Sequence, residues 1–169
     1  DGTIIPPGRF IPVLENNDSS VELDRYMFRE VCLQQKQWLD EGKSIVPVSV
    51  NLSRVQLADR NLVDYYQRIL DETGLPPEYI ELEFTESAMF NNEEILRNTV
   101  DRLHDMGMKV LIDDFGVGYS SMMSLKVIPV DILKVDKSFI DSIGDERGDK
   151  IVISIIEFAT SLGMSVTAE

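Results

Sequence analysis

Five short apolar stretches, each with the character of a strand, constrain the fold of this chain more than any other feature. Each stretch leads into a polar or ionisable residue, and these residues are Asn51, Glu83, Asp113, Lys134 and Glu169. The intervals between them are 32, 30, 21 and 35 residues, which suit one strand and one crossover helix. Such alternation predicts a parallel sheet in one α/β domain, either a β/α barrel or a doubly wound sheet.

The predicted elements follow from local residue patterns. Apolar and β-branched runs predict strands at residues 45–50, 79–85, 109–114, 131–136 and 164–168. Capping residues and helical spacing predict helices that begin at residues 19 or 20, 53, 91 or 92, 120 and 149, and end by residues 39, 70, 107, 126 and 163. No element is predicted over residues 1–14, because glycines and prolines interrupt them.

The second predicted strand has an unusual pattern for a strand that is flanked by helices. Its apolar residues Ile80, Leu82 and Phe84 alternate with the polar residues Glu81, Glu83 and Thr85. One face of this strand therefore carries acids.

Two adjacent carboxylates, Asp113 and Asp114, follow the apolar run 110–112 and precede a glycine-containing loop. Neighbouring strand residues point to opposite faces, so one acid would face a site and the other would face away. If the strand ends there and the chain turns, both carboxylates can converge on one cation. The alternative is that both are solvated turn residues that cap the next helix.

The polar residues at the predicted strand ends share one chemistry. They include one amide and five carboxylates, and these are Asn51, Glu83, Asp113, Asp114, Asp136 and Glu169. Oxygen ligands of this kind suit hard divalent cations, while the absence of histidine and cysteine from the set argues against zinc. His104 falls in the last turn of a predicted helix, where stabilisation by the helix dipole is the simpler interpretation.

The composition excludes several classes of protein. The net charge of −14, from 30 acidic and 16 basic residues, argues against nonspecific binding to nucleic-acid polymers or to anionic membranes. An anionic substrate would therefore need bound cations. The single cysteine, Cys32, rules out a disulfide framework and is predicted to be a core residue in a reducing compartment. The chain starts at Asp1 rather than Met, so we expect it to be part of a longer protein.

The strand-end motifs resemble, in order and spacing, those of the EAL domain, the cyclic di-GMP phosphodiesterase of bacteria. The matching segments are Asn51-Leu52-Ser53, Glu81-Leu82-Glu83-Phe84-Thr85-Glu86-Ser87, Asp113-Asp114-Phe115-Gly116-Val117-Gly118-Tyr119-Ser120-Ser121, Lys134-Val135-Asp136 and Ala168-Glu169. Phe10-Ile11-Pro12 also resembles a segment near the start of that domain. The resemblance covers the chain and implies a (β/α)8 TIM-like barrel.

The resemblance implies a two-metal site for Mg2+ or Mn2+. Asn51, Glu83 and Asp113 would hold one ion together with a glutamate upstream of Asp1. Asp113 would bridge to a second ion that is also held by Asp114 and Glu169.

The resemblance also implies three catalytic roles. Lys134 and Asp136 would flank the attacking water, and Glu86 would hold the loop 115–121. Val117 stands where the family usually has threonine, so one loop hydroxyl is missing and the loop is expected to be looser.

Residues 1–169 are expected to form a partial EAL domain. The Glu-Ala-Leu strand would lie upstream of Asp1, and further segments, including a glutamine near the last strand, would follow Glu169. The first and last strands of the barrel would then be missing from this chain. We expect these residues alone to be inactive and not to stay monomeric, because two sheet edges and an apolar barrel interior would be open.

The implied function is hydrolysis of cyclic di-GMP to linear pGpG in bacterial second-messenger signalling. One alternative is an inactive EAL-like domain that binds cyclic di-GMP or a protein partner as a receptor or scaffold. Another is an unrelated Mg2+-dependent barrel enzyme that acts on a different phosphate or an enolisable substrate. We expect a cytoplasmic homodimer, free or membrane-anchored through other parts of the protein, with fused sensory or GGDEF domains outside this chain and no membrane contact from this segment.

Overall fold

The computed structural model describes residues 4–15, 20–57, 59–86, 88, 93–116 and 122–168. Five strands form one sheet, and they are β1 (Val48–Asn51), β2 (Ile80–Thr85), β3 (Lys109–Phe115), β4 (Ile132–Val135) and β5 (Ser165–Ala168). The helices are α1 (Pro7–Glu15), α2 (Ser20–Asp40), α3 (Arg54–Leu57), α4 (Leu62–Thr73), α5 (Glu93–Asp105), α6 (Met122–Val127), α7 (Lys137–Ile140) and α8 (Glu146–Ser161). A short 3-10 turn, Pro77–Tyr79, leads into β2.

The order of the strands distinguishes between the two sheets that the sequence allows. The strands lie in the order β1-β2-β3-β4-β5, and each pair of neighbours is parallel. A doubly wound sheet reverses its strand order at a switch point, whereas a β/α barrel adds each strand beside the previous one. The sheet is therefore an arc of five consecutive strands of a TIM-like barrel, as predicted.

The two faces of the sheet differ in chemistry. Val50, Leu82, Ile112 and Leu133 are almost fully buried and form one apolar core with residues of the helices, among them Tyr66. The helices pack against this face. Apolar burial on one side of a strand fixes the direction of every second side chain, so the remaining strand residues point away from the helices.

The face turned away from the helices is mostly polar. Alternation and strand register place on it the residues Ser49, Asn51, Glu81, Glu83, Thr85, Lys109, Leu111, Asp113, Ile132, Lys134, Ser165 and Thr167. The expectation of an apolar barrel interior is therefore wrong for these strands, with Leu111 and Ile132 as the apolar exceptions. The acidic face of β2 is unusual for a strand flanked by helices. It is explained because, within the described residues, the helices pack against the other face of β2.

The start of the chain is helical, which differs from the prediction. Pro7 is the first residue of α1, a position where proline is favourable because its fixed φ suits a helix and no N–H is needed. The first strand begins at Val48 rather than residue 45. Pro47 precedes it and has no N–H to donate to a sheet.

Two other helices differ from the predicted boundaries. The helix predicted over residues 53–70 is divided into α3 and α4, and between them the Asp59 carboxylate accepts a hydrogen bond from Asn61 N at 2.9 Å. The last helix begins at Glu146 rather than Asp149, because Asp145 caps it by accepting hydrogen bonds from Arg147 N and Gly148 N. The predicted starts at residue 19, at 91 or 92 and at 120 lie outside the described residues.

None of the helices in the described part of the chain combines the length and the apolar composition that crossing a bilayer requires. The core prediction for Cys32 is confirmed, since its side chain is fully buried. Burial raises the pKa of this thiol to about 12.

Asp131 connects three elements at the amino-terminal end of the sheet. Its Oδ2 atom accepts a hydrogen bond from Val110 N at 2.8 Å and lies 2.8 Å from His104 Nε2 in the last turn of α5. Its carbonyl oxygen accepts from Ser165 N, also at 2.8 Å. His104 therefore has a specific partner in addition to the predicted favourable position at a helix end.

Asp131→Ala is expected to lower the free energy of unfolding by about 1–3 kcal/mol, because it leaves the buried Val110 N–H without its acceptor. Urea denaturation measures this loss. The control is Asp101→Ala on the exposed side of α5, where a pair with Arg97 at 3.8 Å contributes little. Equal effects of the two substitutions would contradict the structural role of Asp131.

Candidate active site

Four polar side chains meet on the helix-free face of the sheet, toward the carboxyl ends of the strands. Asn51 and Glu83 are neighbours in register on β1 and β2. Asp113 pairs with Thr85, two residues beyond Glu83, and so shares its face. Lys134 reaches this group from β4. The structure therefore brings together four of the predicted site residues.

Lys134 contacts both acids of this group. Its Nζ atom lies 2.8 Å from Glu83 Oε1 and 2.9 Å from Asp113 Oδ1. The side chains of Lys134, Glu83 and Asp113 are 17%, 8% and 17% exposed, so water screens these charges only weakly. One ammonium group therefore compensates two nearly buried carboxylates.

The two acids respond differently to their shared environment. Burial raises the pKa of Glu83, the adjacent Asp113 raises it further, and Lys134 only partly opposes these effects. Burial also acts to raise the pKa of Asp113, but its close contacts with Glu83 and Lys134 outweigh burial, so this pKa is lowered. In the protein without bound cations, Glu83 is the first of the two to take up a proton.

Asp114 lies at an irregularity in β3. The register with β4 shifts between Ile112 and Phe115, and Asp114 has a φ of 54°. A bulge of this kind interrupts the alternation of side chains between the two faces. The Asp114 side chain therefore does not have to point to the face opposite that of Asp113. The strand extends to Phe115, one residue beyond its predicted end at Asp114. Asp114 is exposed at this point.

Glu86 connects the end of β2 to the turn after β3. Its carboxylate is 2% exposed, and its Oε2 atom accepts a hydrogen bond from Gly116 N at 2.7 Å. Gly116 has a φ of 98°, and a Cβ atom there would lie 2.3 Å from the ring of Phe139, so only glycine fits. The first residue of the turn is thus anchored by Glu86, while the rest of the loop, including Val117, lies outside the described residues.

Asp136 lies just beyond β4 and is partly exposed to solvent. It caps α7 by accepting a hydrogen bond from Ser138 N at 2.8 Å. Hydrogen bonds from Ser138, first from its side chain and then from its backbone, lower the pKa of Asp136. Glu169, the last predicted metal ligand, lies outside the described residues.

The residues present fit a hard divalent cation. Asp113 Oδ1 is buried and, although Lys134 Nζ is near, it accepts no hydrogen bond of ordinary geometry. The neighbouring donors are the oxygens of Asn51 and Glu83, which suit Mg2+ or Mn2+. No three His, Cys, Asp or Glu side chains within the described residues are arranged as a metal site. The expected set also draws on Glu169.

Thr85 is a site neighbour that the sequence reasoning did not select. It is exposed on the same face of β2 as Glu83 and is the register partner of Asp113. The alternation of β2 contained this signal, because Thr85 occupies the third polar position of the acidic face.

Comparison with known families identifies the family of this chain. The family model of the EAL domain matches residues 1–169. The chain belongs to the EAL domain family. Two relatives of this EAL domain are the bifunctional diguanylate cyclase/cyclic di-GMP phosphodiesterase MucR of Pseudomonas aeruginosa, 34% identical over 167 residues, and the signaling protein YkoW of Bacillus subtilis, 35% identical over 170 residues. The alignments cover 98% and 100% of this chain, but only 24% and 21% of the relatives.

Solved EAL structures share the fold. The MucR phosphodiesterase in complex with c-di-GMP superposes with a TM-score of 0.90 at 34% identity, over 99% of this chain and 68% of that one. The EAL domain of Mycobacterium smegmatis DcpA superposes with a TM-score of 0.81 at 36% identity, over 89% of this chain and 68% of that one. The TIM-like barrel is therefore confirmed, and this EAL chain spans about a quarter of the length of the curated relatives that it matches.

Proposed function

We propose that this EAL domain is a metal-dependent phosphodiesterase that hydrolyses cyclic di-GMP to linear pGpG. The observation that carries the proposal is the convergence of Asn51, Glu83, Asp113 and Lys134 on one polar face at the strand ends. The MucR phosphodiesterase, solved with c-di-GMP and 34% identical, supports the choice of substrate.

Asn51, Glu83 and Asp113 would hold one Mg2+ or Mn2+ ion, and Asp113 would share a second with Asp114 and Glu169. Bound ions of this kind lower the pKa of water and neutralise the charge that develops on a phosphodiester. A chain with a net charge of −14 needs such cations near a doubly anionic dinucleotide.

The side chains around the ions would have separate tasks. Lys134 places a positive charge against Glu83 and Asp113 and keeps both carboxylates in position. It lies on the polar face of the sheet, where the substrate is proposed to bind. Asp136 has a lowered pKa, so it is ionised at neutral pH. Its negative charge would flank the attacking water opposite Lys134. The anchor of Glu86 on Gly116 holds the turn that directly follows Asp113 and Asp114.

A turnover assay tests this function on the domain at its natural length and on residues 1–169. We expect pGpG, detected by chromatography, with Mn2+ or Mg2+ and little with Ca2+ or EDTA, because Ca2+ takes more ligands at longer distances. Binding of cyclic di-GMP without turnover by the natural-length domain would identify a receptor instead. If the natural-length domain neither binds nor hydrolyses cyclic di-GMP, its substrate is a different one. Turnover by the 169 residues alone would overturn their assignment as a partial domain.

Glu86→Ala is expected to lower the turnover number about 10- to 100-fold, because it releases the Gly116 amide beside the acids. The thermal transition and the affinity for Mn2+ should change little. Glu86→Gln is the matched control, since its amide oxygen can still accept from Gly116 N and should preserve most of the activity. A collapse of thermal stability in Glu86→Ala would show that the residue is structural.

A further inference from the structure

The position of Asn51 depends on contacts outside the sheet. It is the last residue of β1, which has four residues and pairs only with β2 within the described chain. A short strand with one hydrogen-bonded neighbour has few bonds that fix its register. Helix α2 supplies two more, one before β1 and five residues from Asn51, the other after β1 and only two residues from Asn51. The second is therefore the one that bears on the Asn51 side chain.

The first of these bonds lies before β1, where Gln35 Nε2 donates to Val46 O at 2.7 Å. The second lies after it, where the Asp24 carboxylate accepts from Ser53 N at 3.0 Å. The intervening Leu52 N donates to Glu83 O at 2.7 Å, so the turn is held both to β2 and to α2.

The bond to Asp24 satisfies an amide that the helix itself leaves free. Ser53 precedes α3, and its carbonyl oxygen accepts from Gln56 N at 3.0 Å and Leu57 N at 3.2 Å. Ser53 is therefore the capping position, as predicted, but its own hydroxyl is buried and has no hydrogen-bond partner within the described residues. A side chain from another helix, Asp24, provides the acceptor.

Asp24 lies on a part of α2 that is packed against neighbouring segments. One turn further along α2, Phe28 is fully buried and stacks on Tyr66 of α4, with ring centroids 4.0 Å apart and planes inclined by 20°. Arg25, the residue that follows Asp24, forms an ion pair with Asp59 at 2.7 Å. These contacts fix α2 against the segment that follows α3, so Asp24 can hold the turn in place.

We propose that Asp24 is a positioning residue, which fixes the turn after β1 and so keeps the Asn51 side chain aligned with Glu83 for metal binding. The inference rests on the proposed function, because it assigns Asn51 to the metal site. Ser53 is only two residues beyond Asn51, so release of its amide lets the end of the edge strand move. An amide oxygen binds a cation through its dipole, which makes its orientation important.

The test compares three variants in the domain at its natural length. Asp24→Ala removes the acceptor, Asp24→Asn keeps an oxygen there, and Gln35→Met removes the bond at the other end of β1. Mn2+ binding is measured without substrate from the EPR signal of the free ion. We expect the dissociation constant to rise about 10-fold in Asp24→Ala, and by less than about twofold in Asp24→Asn and Gln35→Met.

Kinetics provide a second readout. Asp24→Ala should lose activity mainly at low Mn2+ and recover much of it at saturating Mn2+, which a general loss of stability would not do. If Asp24→Ala does not fold, Asp24→Leu replaces it, since leucine has a similar shape without an acceptor.

Unchanged Mn2+ affinity in Asp24→Ala, or an equal loss in Gln35→Met, would overturn the role of Asp24. Wild-type protein that binds Mn2+ but does not hydrolyse cyclic di-GMP would overturn only the proposed function, because the Mn2+ titration would still decide the role of Asp24. Wild-type protein that binds no Mn2+ would overturn both.

Discussion

Asp113→Asn is expected to reduce hydrolysis of cyclic di-GMP at least about a hundredfold, the largest loss for any single site residue. Asp113 is on β3, between the strands that carry Glu83 and Lys134. It is proposed to be shared by both ions, whereas Asn51 and Glu83 are proposed to bind the same single ion. Asparagine keeps the shape of the side chain but removes its charge. Rates are measured at saturating Mn2+.

The same substitution should not destabilise the metal-free domain. Glu83 then keeps Lys134 as its partner and loses a neighbouring carboxylate that raises its pKa. Asp101→Asn, on the exposed side of α5, is the matched control and should leave turnover unchanged. If Asp113→Asn retains more than a small fraction of wild-type activity, the bridging role is wrong.

Lys134→Met is expected to lower the free energy of unfolding of the metal-free domain by about 3 kcal/mol, because Glu83 and Asp113 are left nearly buried without a cation. Methionine keeps most of the side-chain volume, so the loss reflects charge. Mn2+ should restore much of this stability by compensating the same carboxylates, while turnover remains low. Urea denaturation with Mn2+ and with EDTA measures both states.

The control for this experiment is Lys137→Met on α7. Lys137 forms an exposed pair with Asp141 at 2.6 Å, and such pairs contribute about 0–1 kcal/mol. If Lys134→Met were no more destabilising than Lys137→Met, the claim that Lys134 compensates the charges of Glu83 and Asp113 would be wrong. A large loss that Mn2+ does not reduce would also contradict it.

Local sequence patterns predicted most elements but not all their ends. The five strands, the long α2 and the division of β2 into an apolar and an acidic face are confirmed. The errors occur where a single contact sets a boundary. Asp145 starts α8 before the predicted residue, and Asp59 interrupts the helix predicted from residue 53. Pro7 starts a helix in a segment whose prolines predicted irregular structure.

The sequence by itself determined that the strands are parallel, since strands and helices alternate along the chain. It also determined that polar residues follow the strands, since each strand and its end lie in one short segment. Only the tertiary structure decided that the strands lie in barrel order, that Lys134 contacts Glu83 and Asp113, and that Asp24 reaches the turn after β1. Lys134 and Glu83 are 51 residues apart, and Asp24 and Ser53 are 29 apart. Contacts over such separations depend on strand register and on which face the helices cover, and no local periodicity encodes either.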